Sequence, residues 1–181
     1  MTRSTKSPIS PDTWQMSDRE RTNLQEVTLY DSVQSLSEIW PLAAKRFGQI
    51  TALHDPHVEP EVKLTYEQLN EQIQKFAAGL QALGVISTEK ETSVPPRVAL
   101  FADNSPRWMI ADQGIIVAGG ADVVRSATAD IEELAYILQD SGSISLVVEN
   151  LALFQKLSDR LQDLPIHLIL SLIHISEPTR L

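Results

Sequence analysis

The chain has 181 residues, carries 24 acidic against 15 basic side chains for a net charge of −9, and contains no cysteine. That length fits one domain, or one large piece of a bigger enzyme, and 43% apolar residues suffice for a real core. The acidic balance, with no Lys/Arg stripe, argues against binding nucleic acid through its phosphates, and the lack of cysteine excludes disulfides, thiolate zinc sites and a cysteine nucleophile.

Residues 1–28 are rich in Ser, Thr, Pro and charge and lack the apolar core of a secretory signal, so they are expected to form a mobile leader. No apolar run reaches the roughly 20 residues of a spanning helix. A soluble, cytoplasmic protein is expected, with at most peripheral membrane contact. Ser35 and Glu38 fit a capping box before a helix carrying Ile39, Leu42, Ala43 and Phe47, with Gly48 as its stop. Thr51–His54 and Val62–Leu64 fit a hairpin across a Pro-containing loop. Thr65 and Gln68 make a second capping box, and Leu69, Ile73, Phe76, Ala77, Leu80 and Leu83 then recur at helical spacing up to Gly84. The segment Ile86–Pro96 is polar and reads as a surface loop.

From Arg97 to Asn150, apolar runs alternate with helical patterns. Val98–Ala102, Ala121–Val124 and Ser145–Val148 read as strands, with Ile166–Leu170 as a fourth. Between them, Ser105 followed by Pro106 opens one helix that ends at Gly119, Asp130 caps Ile131–Gln139 ahead of Gly142, and Asn150 caps a helix carrying Leu153, Phe154, Leu157 and Leu161. Strand–helix alternation implies right-handed crossovers and an α/β, doubly wound, mainly parallel sheet.

No residue here is assigned a catalytic, cofactor-binding or metal-binding role. Gly114, Gly119 and Gly120 fit neither glycine-rich nucleotide loop and are read as helix-ending residues. His54 and His57 have no third ligand nearby in sequence, and the serines of the 104–105 turn and at 126 have no local His partner, so capping and turn duties explain them. Trp108 and Arg107 follow a strand's carboxyl end, at the rim where doubly wound sheets bind ligands, although core packing is the simpler explanation for Trp108. Arg125 stands at a similar place and can pair with Asp130 or Glu133.

The motif LTYEQL at Leu64–Leu69 resembles the early L-T-Y-x-E-L motif of the adenylate-forming, AMP-binding acyl-activating enzymes, with Gln68 where Glu is usual. The longer segment Phe101–Leu138, with GGADVVRS followed by DIEELAYIL, is most similar to the acyl-acyl carrier protein synthetases and long-chain fatty acid CoA ligases of cyanobacteria and plastids. The resemblance spans about Tyr30–Leu170. It implies the N-terminal part of a ligase that uses ATP and magnesium to convert a fatty acid to an acyl-adenylate. The acyl group then passes to the thiol of acyl carrier protein or CoA. The phosphate loop and the catalytic Glu, Asp and Lys motifs of such enzymes do not occur in the 181 residues, so residues 29–170 are expected to be a partial synthetase domain, inactive alone. From Ser171 the text SLIHISEPTRL departs from the family and resembles a translated sequencing-adapter tail, although Ile173 and Ile175 also permit extension of the last strand. The alternative reading is a free-standing doubly wound binding or regulatory module without catalysis.

Overall fold

A computed structural model describes residues 17, 18, 33–86 and 94–173. The expected leader falls almost wholly outside these residues, as do most of the 86–96 loop and the chain after Ile173. The elements that follow all belong to the unit that begins at Ser35.

The first helical segment departs from its sequence signature. Leu36–Glu38 form a single 3₁₀ turn and the α-helix proper, α1, is Ile39–Phe47. Ser35 makes no cap to a backbone N–H; its hydroxyl lies instead 2.9 Å from the Ser37 Oγ. Pro41 supplies the reason. In an α-helix begun at Leu36 its ring would meet the carbonyl four residues back, whereas a start at Ile39 puts it in the first turn, where its missing N–H costs nothing. The strands β1 (Thr51–Asp55) and β2 (Val62–Thr65) then pair antiparallel, with a bulge between Thr51 and Leu53.

Thr65 caps α2 (Tyr66–Ala82) with the expected reciprocal box: the Gln68 backbone N–H donates to Thr65 Oγ1 at 3.3 Å and the Thr65 N–H to Gln68 Oε1 at 3.0 Å. A glutamine serves as well as a glutamate, because the box needs only an acceptor at the third helical position.

The four expected strands are present and mutually parallel. They are β3 (Arg97–Phe101), β4 (Ala121–Arg125), β5 (Ser145–Val148) and β6 (Leu168–Ser171), in the spatial order β4-β3-β5-β6. The last strand starts two residues later than its apolar run, because Ile166 turns back to bond Leu164 O at 2.8 Å and packs on the opposite face. It also runs through Ser171, and Leu172 beyond it is buried. The crossovers are α3 (Pro106–Ala118), α4 (Ile131–Ser141) and α5 (Leu151–Leu157), the last followed by a 3₁₀ turn at Ser158–Arg160.

Alternation along the strands divides the core in two. Val98, Leu100 and Val147 face α2 and α3, whereas Ala99, Phe101, Leu146 and Val148 face α4 and α5. The middle strands β3 and β5 are buried on both faces, as a parallel sheet requires. A third cluster, Leu69, Ile73 and Ile110 with Trp40 and Leu53, joins α1 and the hairpin to α2 and α3.

Gly114 is not a helix terminator. It lies buried in the middle of α3, where an added Cβ would stand 2.5 Å from Phe76 Cδ1 of α2, so its missing side chain sets how closely the two helices approach. Gly119 does close α3, with φ of +97° in the left-handed region.

Candidate functional site

Topology locates the site. The chain leaves β3, crosses to β4 on one side, then returns past β3 to β5 on the other, so the crossovers diverge between β3 and β5. Loops that part in this way leave a crevice at the carboxyl ends of the strands.

A cleft of about 600 Å³ occupies this edge. One wall is the hairpin loop with Val58, Glu59, Pro60 and Val62, and another is Leu172 and Ile173 beyond β6. Its floor is the start of α3, at Ser105, Pro106 and Arg107, and Glu149 enters from the end of β5. The α3 N-terminus is built by sequence-local chemistry: the Trp108 N–H donates to Ser105 Oγ at 3.1 Å, and Pro106 contributes a preset helical φ.

The three loops that form the edge are tied together. Ser126 Oγ donates to Asp103 Oδ1 at 2.5 Å, linking the turns after β4 and β3, and also lies 2.7 Å from Thr128 Oγ1. The Asp103 N–H donates to Glu149 Oε1 at 3.2 Å, linking β3 to β5, and Asn150 Nδ2 reaches the other Glu149 oxygen at 3.1 Å. Asn150 meanwhile caps α5 through its Oδ1 and the Leu153 N–H. Each carboxylate is thus held by donors, and the edge is a fixed polar frame.

Trp108 has two roles. It packs against the core as expected, and it also lines a second recess at this edge with Ala102, Asp103, Asn104, Val124 and Ser126; its Nε1 is buried without a hydrogen-bond partner among the described residues. Arg125 pairs with Glu133, Nε to Oε1 at 2.7 Å, which holds its guanidinium above the usual arginine range through that hydrogen bond and charge. Ser105 and Ser126 have the cap and turn duties the sequence assigned them. His54 lies 3.2 Å from Glu61, while the His57 backbone N–H donates to Asp55 Oδ1. Among the described residues no three His, Asp or Glu side chains converge as metal ligands.

Sequence reasoning passed over Asp103 and Glu149. The signal was a carboxylate placed within two residues of the end of each central strand, which in a parallel sheet puts both at one edge.

The AMP-binding enzyme family model matches residues 41–179. The chain is 41% identical over 126 residues to a chloroplastic long-chain-fatty-acid–[acyl-carrier-protein] ligase of Arabidopsis thaliana, covering 70% of this chain and 16% of that protein. It is 39% identical over 126 residues to a chloroplastic probable acyl-activating enzyme of the same plant, with the same coverage. Its fold is similar to the crystal structure of a long-chain-fatty-acid-CoA ligase from Archaeoglobus fulgidus, at TM-score 0.65 and 22% identity over 76% of this chain and 27% of that one. The chain therefore spans about a sixth of the curated relatives it matches.

Proposed function

Since the chain belongs to the AMP-binding enzyme family, we propose that it is the N-terminal part of a ligase that activates a fatty acid with ATP and passes the acyl group to the thiol of acyl carrier protein or CoA. The observation that carries this reading is the 41% identity to a fatty-acid–[acyl-carrier-protein] ligase over 126 residues. That relative favours acyl carrier protein as the acceptor.

In this reading the described residues scaffold one wall of the site. Adenylation needs amides and cations around a triphosphate and charge stabilisation at the α-phosphorus. The carboxyl edge sets the carboxylates Asp103 and Glu149 beside a single arginine of the cleft floor, Arg107, and there is no glycine-rich phosphate loop in the 181 residues. These residues do not fit ATP or magnesium by themselves. Among the described residues no helix is long and apolar enough to cross a membrane.

The experiment is pyrophosphate release from ATP, magnesium and palmitate. The 181-residue chain alone is expected to be silent. A chimaera in which residues 41–170 replace the matching segment of the Arabidopsis relative is expected to turn over. A chimaera that is folded by circular dichroism yet silent would overturn the reading in favour of a binding or regulatory module, and robust turnover by the chain alone would overturn its scaffolding role.

A further inference from the structure

Among the described residues one buried carboxyl group is not used by the proposed function. Asp112, on α3, is 8% exposed, and the described residues give it no cationic partner. Its two oxygens have separate fates. Gln113 Nε2 donates to Oδ2 at 2.6 Å, and Gln113 is itself fixed by Trp40 of α1, whose Nε1 donates to Gln113 Oε1 at 2.7 Å. The other polar neighbour of Asp112 is the carboxyl group of Asp122, on β4. Two carboxyl groups can hydrogen-bond only when one of them carries a proton, because an ionised carboxylate has no donor.

We propose that Asp112 and Asp122 hold one proton between them, making the junction of α3 with the edge strand β4 a pH-sensitive joint. The surroundings support this. Asp122 and Val98 are register partners on adjacent strands, so Asp122 comes from the sheet surface on which α3 lies. On this face α2 contributes Phe76 and Ala77 to the core beneath α3, and the neutral Gln81 donates to Ala118 O at 3.2 Å; Trp40 of α1 is linked to Asp112 through Gln113. Asp122 is the charged group that acts on Asp112. Burial is the main cause, and the Asp122 hydrogen bond the next, of a pKa pushed up to about 6.

The sign follows from proton counting. Between the ordinary carboxylate range and about pH 6 the folded chain binds a proton that the unfolded chain has released, so stability falls as pH rises through that window and stays lower above it. As the proton leaves, two carboxylates face each other across the α3–β4 junction. Among the described residues strand β4 is the edge of the sheet and pairs with β3 alone, so it is the less constrained partner of the junction.

The test is carboxyl carbon NMR of the full chain with urea titrations from pH 4.5 to 7.5, on wild type, Asp112→Asn and Asp122→Asn. Asparagine at 112 keeps a donor for Asp122 and an acceptor for Gln113. The wild-type folding constant is expected to fall roughly ten- to a hundredfold, relative to Asp112→Asn, over that range. One wild-type carboxyl carbon should titrate well above the usual range, and Asp122→Asn should lower its midpoint. Amides of Ala121–Arg125 should lose protection in step with the wild-type titration. Parallel stability curves in wild type and Asp112→Asn, or both carboxyl carbons titrating together in the ordinary range, would overturn the proposal. Should Asp112→Asn fail to fold, an unchanged Asp112 midpoint in Asp122→Asn would overturn it equally.

Discussion

Gly114→Ala puts the packing of α2 on α3 to a quantitative test. Two effects oppose each other. Alanine is the better helix former by about 1 kcal/mol in a helix interior. The new Cβ, however, would stand 2.5 Å from Phe76 Cδ1 and 3.1 Å from both its Cβ and Cγ. Relaxed carbon contacts lie near 3.5–4.0 Å, so each is too close. A ring edge can swing away, but Phe76 Cβ is fixed to the α2 backbone, so the helices themselves must part. Such overpacking costs roughly 1–3 kcal/mol. The net expectation is a loss of about 1 kcal/mol, with unchanged m-value in urea unfolding. Gly79→Ala is the internal control: it lies on the exposed side of α2 with nothing within 4 Å of its added Cβ, and should gain stability from helix propensity alone. Phe76→Leu combined with Gly114→Ala should recover part of the loss. If Gly114→Ala matches or exceeds wild type, the close approach of the two helices is not what fixes glycine there.

Other substitutions test separate links. Thr65→Ala removes the side-chain arm of the α2 capping box while its backbone N–H still reaches Gln68, and should cost about 1 kcal/mol by thermal melting. Phe101→Ala, in a fully buried central strand, should cost about 3–5 kcal/mol and leave the chain largely unfolded at 37 °C, as circular dichroism would show. Arg125→Ala removes an exposed pair with Glu133 and should change urea stability by less than about 1 kcal/mol. Gly119→Ala forces a side chain into φ of +97° and should destabilise by about 1–2 kcal/mol in the same assay.

What could be read from the sequence was whatever depends on neighbours in the chain. Thr65 with Gln68, Ser105 with Pro106, Asp130 and Asn150 all cap helices as their local chemistry demands. The parallel sheet was legible too, since each pair of apolar runs is separated by a helix-length amphipathic segment. What escaped was set by contacts distant in sequence. Gly114 lies five residues before Gly119 and looked like part of one helix end; only Phe76, on another helix, reveals its purpose. Asp112 sits on a helix whose face toward β4 cannot be known until the strand order is. The Ser35–Glu38 motif failed for a local reason that propensity alone underrates, the veto of Pro41 on an earlier α-helical start.

Rigidity is the property that the carboxyl edge contributes to function. Asp103 accepts from Ser126 and donates through its backbone to Glu149, so the ends of β4, β3 and β5 are joined by side-chain bonds just where the crossovers diverge. A carboxylate in such a frame already has its hydrogen-bond donors and serves as a strut between strand ends. The cleft walls come from the hairpin loop and from Leu172 and Ile173 beyond β6. A site completed by further protein at this edge would therefore meet a floor braced by side-chain bonds. That arrangement suits the proposed ligase, in which the reacting groups arrive from elsewhere and must find a surface that does not move beneath them.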